Sequence, residues 1–362
     1  MRKVRNLSLV FTGTLLIMLL FATKTPADLY RAASGIYFKN WGLINNQAKS
    51  HISALDAWKI EGDNKVIVAI IDTGIDDQHK DLAPNVWHLP NHKEVFGWNY
   101  VVNKANPIDD HGHGTHIAGI IGAIVNHKAG VAGVAQNVQL MAIKYYSDSN
   151  PGSVNLRNTV RAIHYAIDNG AKIINYSGGG PEFSEDEYLA IKRAESKGIL
   201  FVAAAGNEHQ NTDLMENYYY PSAYRLSNII SVAATDIRNN LLPSSNWGKT
   251  QVHVAAPGEN IYSTLPGGRY GYMSGTSQAT AFVTGTAALL LSKNPNLTPC
   301  ELKRIIMNSV DQVSPLKDKV SSGGRINAYK ALLELKNVKG TKYEKSCPAR
   351  NTSTLQLVCP TC

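Results

Sequence analysis

The chain has 362 residues, 44% of them hydrophobic, and a formal net charge of +8. That length can bury a large core, and 29 glycines with only short apolar runs fit an α/β domain better than a helical bundle or a fibre. The basic excess is spread along the chain without interleaved aromatics, so nucleic acid is not an expected partner.

The first elements in chain order are not part of the fold. "MRKVR" is followed by an apolar run that ends at Ala22, and "TPAD" offers small residues for a cut after Ala27. This is the layout of an export signal, so the expectation is a signal peptide over 1–27 and a short spacer over 28–36. The run is short for a membrane span of about 20 residues. An uncleaved anchor, the only route to a membrane, is the alternative. Cleavage removes Arg2, Lys3, Arg5 and Lys24 and lowers the net charge from +8 to +4.

From 37 to 337 the pattern is that of one domain. Apolar runs of strand length recur at 65–74, 138–146, 171–180, 199–207, 229–236 and 251–258, and they read as strands buried on both faces. Helical patterns lie between them. In 155–170, Leu156, Val160, Ile163 and Ile167 share one face and Gly170 stops the helix. The segment 184–198 starts with Ser184 and three acids. Near the end, Thr298, Pro299 and Glu301 form a capping box with proline at the first position. Strands alternating with helices imply a mostly parallel central sheet with helices on both faces, and sites in such sheets form at the carboxyl ends of the strands.

After Leu335 the chain turns polar and lysine-rich, so 338–362 reads as a tail. It holds Cys347, Cys359 and Cys362, while Cys300 lies inside the domain. In an exported chain these point to at least one disulfide, with a zinc knuckle as the weaker reading.

Four strand ends carry reactive side chains. Asp72 stands in "IIDTGID", His113 in "DDHGHGTH", Asn207 in "AAAGNE" and Ser277 in "SGTSQAT". Singly, each has a plain reading: an aspartate or asparagine capping a turn, a histidine at a helix start, a serine at the polar start of a buried helix. His111, His113 and His116 also invite a metal reading, but the H-E-x-x-H pairing is missing. Together the four supply what acyl transfer needs. Serine is a weak nucleophile until a base takes its proton, the base needs a carboxylate to hold its tautomer, and an amide can hold the oxyanion.

With "IDTGID", "GHGTHIAG", "AAAGN" and "SGTSQAT" in this order, residues 37–337 resemble the subtilisin family of serine proteases, and its thermitase branch in particular. The resemblance implies that Asp72 orients His113, that His113 takes the proton of Ser277, and that Asn207 with the backbone N–H of Ser277 holds the oxyanion. It implies protein or peptide substrates, bound along Ser177, Gly178 and Gly179 by strand addition, with Ala203, Ala204 and Gly206 lining the pocket for the residue before the cut. A cis Tyr220–Pro221 bond beside that pocket is expected as well. A structural calcium ion is implied at Asp81 with the loop that carries Asn126. The expected product is a secreted, monomeric endopeptidase. A non-catalytic peptide-binding protein with the same fold, or an anchored processing protease, is the alternative.

The chain departs from the family pattern in four places. Gln278 replaces the usual methionine after the nucleophile and is not subject to sulfoxide formation. Ala281 and Phe282 replace proline and histidine, and Gly178 replaces a larger apolar residue. That last change is expected to open the wall between neighbouring subsites.

Overall fold

The computed structural model of the protein describes residues 39–44, 49–124 and 130–338. The signal segment, the spacer, Asn126 and the three tail cysteines lie outside these residues. No helix among the described residues is long and apolar enough to cross a membrane.

Eleven strands are described: β1 (Val66–Asp72), β2 (Gly97–Asn99), β3 (Val138–Lys144), β4 (Ile173–Tyr176), β5 (Leu200–Ala204), β6 (Ile229–Thr235), β7 (Val254–Pro257), β8 (Ile261–Leu265), β9 (Arg269–Met273), β10 (Asp311–Gln312) and β11 (Gly324–Arg325). The helices are α1 (Ala54–Trp58), α2 (His113–Gly122), α3 (Gly152–Asp168), α4 (Glu185–Ser196), α5 (Thr276–Lys293), α6 (Pro299–Asn308) and α7 (Ala328–Val338). Nine strands form one sheet in the order β10-β11-β7-β6-β5-β4-β1-β3-β2. Every pairing in it is parallel except β10 with β11. The β8–β9 hairpin stands apart.

Alternation along the strands divides the core in two, because successive side chains point to opposite faces. Val68 and Ile70 of β1, Val202 of β5 and Val232 of β6 pack with α2, α5 and α7. Ala69 and Ile71, with Ile143, Phe201 and Ala203, pack under α3 and α4 on the other face. The sheet is thus covered on both sides, as a run of wholly apolar parallel strands requires. Helix starts follow local chemistry. Ser184 accepts from the Glu187 backbone, and Thr298 and Glu301 form the full capping box. Helix α3 starts earlier than its periodicity indicates, at Gly152 directly after Pro151.

Helix α5 runs through the centre, with every residue from Thr276 to Ser292 buried. A polar first turn on a buried helix is stable here because its side chains find partners. Thr280 Oγ1 donates to the Thr276 carbonyl at 2.8 Å, and Thr284 Oγ1 donates to Asn175 Oδ1 at 2.8 Å. Ala281 continues the helix where proline would interrupt it, and the ring of the fully buried Phe282 packs on Gly42.

Glu187 in α4 is only 2% exposed and accepts a 2.9 Å hydrogen bond from the Tyr224 hydroxyl. Burial pushes its carboxyl up to about 7 from 4.5, against the pull of that hydrogen bond. A folded value above the unfolded one means the contribution to stability is full below pH 4.5 and is lost as pH rises through about 7. Glu187→Gln should therefore raise Tm by a few degrees near pH 8.5, at roughly 2–4 °C per kcal/mol. Near pH 5 it should change Tm much less. Calorimetry at the two pH values checks this, and an equal effect at both would contradict it.

Candidate active site

The carboxyl ends of β1, β4 and β5 meet the amino ends of α2 and α5, so strand ends and helix starts converge on one cleft. Asp72 is the last residue of β1, buried at 3% exposure. Its Oδ1 accepts from the Thr73 backbone at 2.7 Å and lies 2.8 Å from His113 Nδ1. A carboxylate only accepts, so Nδ1 carries the proton and Nε2 is left with its lone pair. Burial lowers the His113 pKa, but the charge and hydrogen bond of Asp72, with the charge of Asp109, outweigh it and the net direction is upward.

The position of His113 is fixed from below. Gly112 precedes it at φ 106°, a left-handed conformation that glycine adopts without strain. Helix α2 then comes so close to β1 that a Cβ on Gly114 would lie 2.1 Å from the Gly74 carbonyl oxygen. Asp109 ties the junction together. It accepts from the backbones of His111, Gly112 and Thr115 and from the hydroxyls of Thr73 and Thr115, at 2.6–3.0 Å. Burial works to raise its pKa, yet these donors win and hold its carboxylate below the usual range. Neither Asp109 nor Thr73 is evident from the sequence; the only hint is an aspartate spaced before a glycine-rich helix start.

His116 takes a different role from His113. Its Nε2 lies 3.0 Å from the Ile261 carbonyl and 3.2 Å from that of Gly271, joining α2 to the β8–β9 hairpin. Burial pulls its pKa to about 4, so the ring is neutral and structural.

Ser277 is the second residue of α5, and its hydroxyl donates to the Ser177 carbonyl at 3.1 Å. Ser177 Oγ in turn donates to the Ser277 carbonyl at 3.3 Å. Among the described residues no hydrogen bond joins Ser277 to His113, so proton transfer requires the hydroxyl to leave Ser177. Asn207 follows β5. Its Oδ1 accepts from the Thr276 backbone at 2.9 Å and lies 3.3 Å from Thr276 Oγ1. Asn207 is exposed, and its Nδ2 makes no hydrogen bond among the described residues. Gln278 is 1% exposed and makes no hydrogen bond among the described residues; its Oε1 and Asn207 Oδ1 both approach Gly275.

Strands β4 and β5 pair with Tyr176 opposite Ala203. Ser177, Gly178 and Gly179 therefore leave the sheet alongside Ala203, Ala204 and Gly206. Tyr220–Pro221 beside them is cis. The expected opening at Gly178 is overturned. A Cβ there would lie 2.3 Å from the Tyr145 hydroxyl and 3.0 Å from Tyr176 Cζ, so tyrosines from neighbouring strand ends fill the space.

Asp81 lies away from this cleft. Its Oδ2 accepts from the Tyr270 hydroxyl at 2.8 Å and the Val131 backbone at 3.1 Å, whereas its Oδ1 is buried with no hydrogen-bond partner. An orphaned buried carboxylate oxygen next to Ile124 and Val131, whose backbones both donate to Asp81, fits a hard cation.

Comparison with known proteins agrees with this geometry. Residues 63–332 match the model of the subtilase family. Thermitase of Thermoactinomyces vulgaris is 38% identical over 281 residues, 78% of this chain and 93% of that protein. A thermophilic serine proteinase of Bacillus sp. strain AK1 is 39% identical, covering 76% of this chain and 64% of that protein. Subtilisin E of Bacillus subtilis is also 39% identical, over 69% of this chain and 61% of that protein. Among solved structures, a protease from Pseudoalteromonas arctica aligns with a TM-score of 0.69 at 25% identity, covering 82% of this chain and 97% of that one. A mostly parallel sheet with a His–Asp pair at its carboxyl edge and these relatives lead to one conclusion: the chain belongs to the subtilase family, on its thermitase-like side, and is a subtilisin-like serine endopeptidase.

Proposed function

We propose that the chain hydrolyses peptide bonds in proteins or peptides with Asp72, His113 and Ser277 as triad and with Asn207 and the Ser277 backbone N–H as oxyanion donors. The observation that carries this is the 2.8 Å contact between Asp72 and His113 Nδ1, next to the helix start that bears Ser277. His113 Nε2 takes the hydroxyl proton as Ser277 Oγ forms a bond to the substrate carbonyl carbon. The resulting oxyanion is held by the Asn207 amide and by a backbone N–H at a helix start. His113 then hands the proton to the leaving amine as the C–N bond breaks, leaving an acyl-enzyme. Water attacks this ester in turn, giving its proton to His113, and Ser277 is regenerated when that proton returns to Oγ. Asp72 stays ionised throughout and stabilises the imidazolium.

Substrate binding is assigned to Ser177, Gly178 and Gly179 as the edge to which an extended peptide adds, and to Ala203, Ala204 and Gly206 as pocket wall. Labelling with a fluorophosphonate and mapping the modified peptide tests the reading. The label belongs on Ser277; a label elsewhere, or none on folded protein, overturns it.

Export and a monomeric working form are part of the same proposal, with cleavage after Ala27 to be read by amino-terminal sequencing of secreted material. The domain is taken as 37–337. A disulfide from Cys300 in α6 to one of the tail cysteines belongs to the same reading. For calcium, Asp81 through Oδ1 and the loop carrying Asn126 would hold the ion, which would cross-link that loop to the body of the domain. Chelation should lower Tm by several degrees and added calcium restore it, whereas Asp81→Asn should remove the response. A Tm indifferent to chelator would sink the calcium assignment.

A further inference from the structure

At the outer edge of the sheet, away from the cleft, lies a groove whose residues have no part in the chemistry above. Strand β2 is the last strand of the sheet and is separated from β1 by β3. Trp98 of β2 and Tyr100 just after it form one wall, and helix α3 forms the other with Arg161, Tyr165 and Asp168. These helix residues follow one another at spacings of four and three, so they share a face. Ala162, Ile163 and Ala166 of the same helix are buried against the sheet. The space between the walls is about 460 Å³.

Aromatic rings form the floor. The ring centroids of Trp98, Tyr100 and Tyr165 lie 6.3–6.5 Å from one another, and the planes of Trp98 and Tyr165 are only 34° apart. Arg161 lies over the Tyr100 ring at 4.4 Å and donates to Asn103 Oδ1 at 2.8 Å. Asn103 is held at φ 53° in a loop closed by backbone bonds between Asn99 and Lys104 at 2.8 and 3.0 Å. Around this floor, polar capacity is left over. Among the described residues the Tyr100 and Tyr165 hydroxyls, Asn103 Nδ2 and Asp168 Oδ2 make no hydrogen bond. Burial raises both phenols, Tyr165 to about 12, so each hydroxyl keeps its proton and can donate as well as accept.

The charges select the ligand. Arg161 already covers the ring face that a cation would need, and the Asp168 carboxylate at the rim repels an anion. What suits the groove is a neutral molecule with one apolar face and several groups that both donate and accept. We infer that it binds a saccharide, with the C–H face of a pyranose ring on Trp98 and Tyr165 and the sugar hydroxyls paired to Asn103, Tyr100 and Asp168. The groove shares no residue with the cleft, so it would hold the chain to glycan-bearing material while leaving the cleft open.

Affinity electrophoresis of the full chain through native gels containing soluble β-glucan, arabinoxylan or glycol chitin supplies the test, with a polymer-free gel as reference. At least one polymer should retard the wild type, and the free monosaccharide of that polymer should relieve the retardation. Tyr165→Ala should weaken the apparent affinity by at least about tenfold through loss of ring contact. Asn103→Gly removes the amide, and glycine accepts φ 53° without strain, so the affinity should fall by about threefold or more without a folding defect. If Tyr165→Ala does not fold, Asn103→Gly decides alone. A wild type that runs unretarded in all three gels overturns the inference. Retardation relieved by salt and not by free sugar overturns it too, and so does retardation unchanged in both folded variants. Binding is read here without proteolysis, so such a failure is distinct from a failure of the proposed triad.

Discussion

Asp72→Asn should lower kcat by about 10⁴-fold, a magnitude carried over from other Ser-His-Asp proteases, with KM changed far less. The reason is tautomeric. Asp72 only accepts, so it fixes the proton on His113 Nδ1 at 2.8 Å. Asparagine at the same place can turn its amide toward the ring and donate, which places the ring proton on Nε2 and leaves nothing to receive the proton of Ser277. The substitution should also move the pH profile. In the wild type the net direction of the His113 pKa is upward, so the acid limb of kcat/KM, which reports the free enzyme, lies above pH 6.5. Without the charge and hydrogen bond of Asp72, burial pulls it down, and the limb moves to lower pH. Stability follows the same sign. A histidine raised in the fold contributes stability that is full below pH 6.5 and is lost as pH rises through the folded value, so the variant loses stability chiefly at acid pH. Initial rates from pH 5 to 9 on one peptide substrate decide the matter, and a variant with wild-type kcat would refute the assignment of Asp72.

Asn207→Ala should lower kcat by about 10²–10³-fold with KM nearly unchanged, again a magnitude known from subtilisin. An oxyanion exists only once the nucleophile has attacked, so a donor aimed at it adds little to ground-state binding. The backbone N–H and hydroxyl of Thr276 hold the oxygen of this amide, at 2.9 and 3.3 Å, and so decide which end faces the cleft. Asn207→Asp is the sharper control, since it keeps the contact with Thr276 and presents an acceptor instead of a donor to the developing charge. It should be at least as impaired as the alanine variant. Equal losses in kcat and in ground-state affinity would show instead that the residue shapes the cleft.

The central strands were legible because β1, β3, β5 and β6 are apolar on both faces, and an uninterrupted run of that kind has few other readings. The β8–β9 hairpin was not, because "IYSTLPGGRYGYM" is polar and β9 is half exposed. The reactive residues could be named from their motifs, yet what places them came from elsewhere. Asp109 has no periodicity, and its importance lies in five donors contributed by two segments, Thr73 after β1 and the stretch from His111 to Thr115. Gly178 was misread for the same reason, since the atoms that fill its space belong to Tyr145 and Tyr176, distant or facing away in sequence.

Helix α5 carries Ser277 in its first turn and continues as a buried helix from Thr276 to Ser292, against five consecutive strands of the sheet, β7-β6-β5-β4-β1. A protease in solution is exposed to its own siblings, and self-digestion starts on molecules that have opened in part. Here the nucleophile is mounted on a segment that cannot come loose without breaking the whole interior. A copy that has opened far enough to be cut there has already lost its own cutting edge. At this helix attacker and victim are therefore different conformations, and cutting there is governed by how rarely the interior opens as a unit.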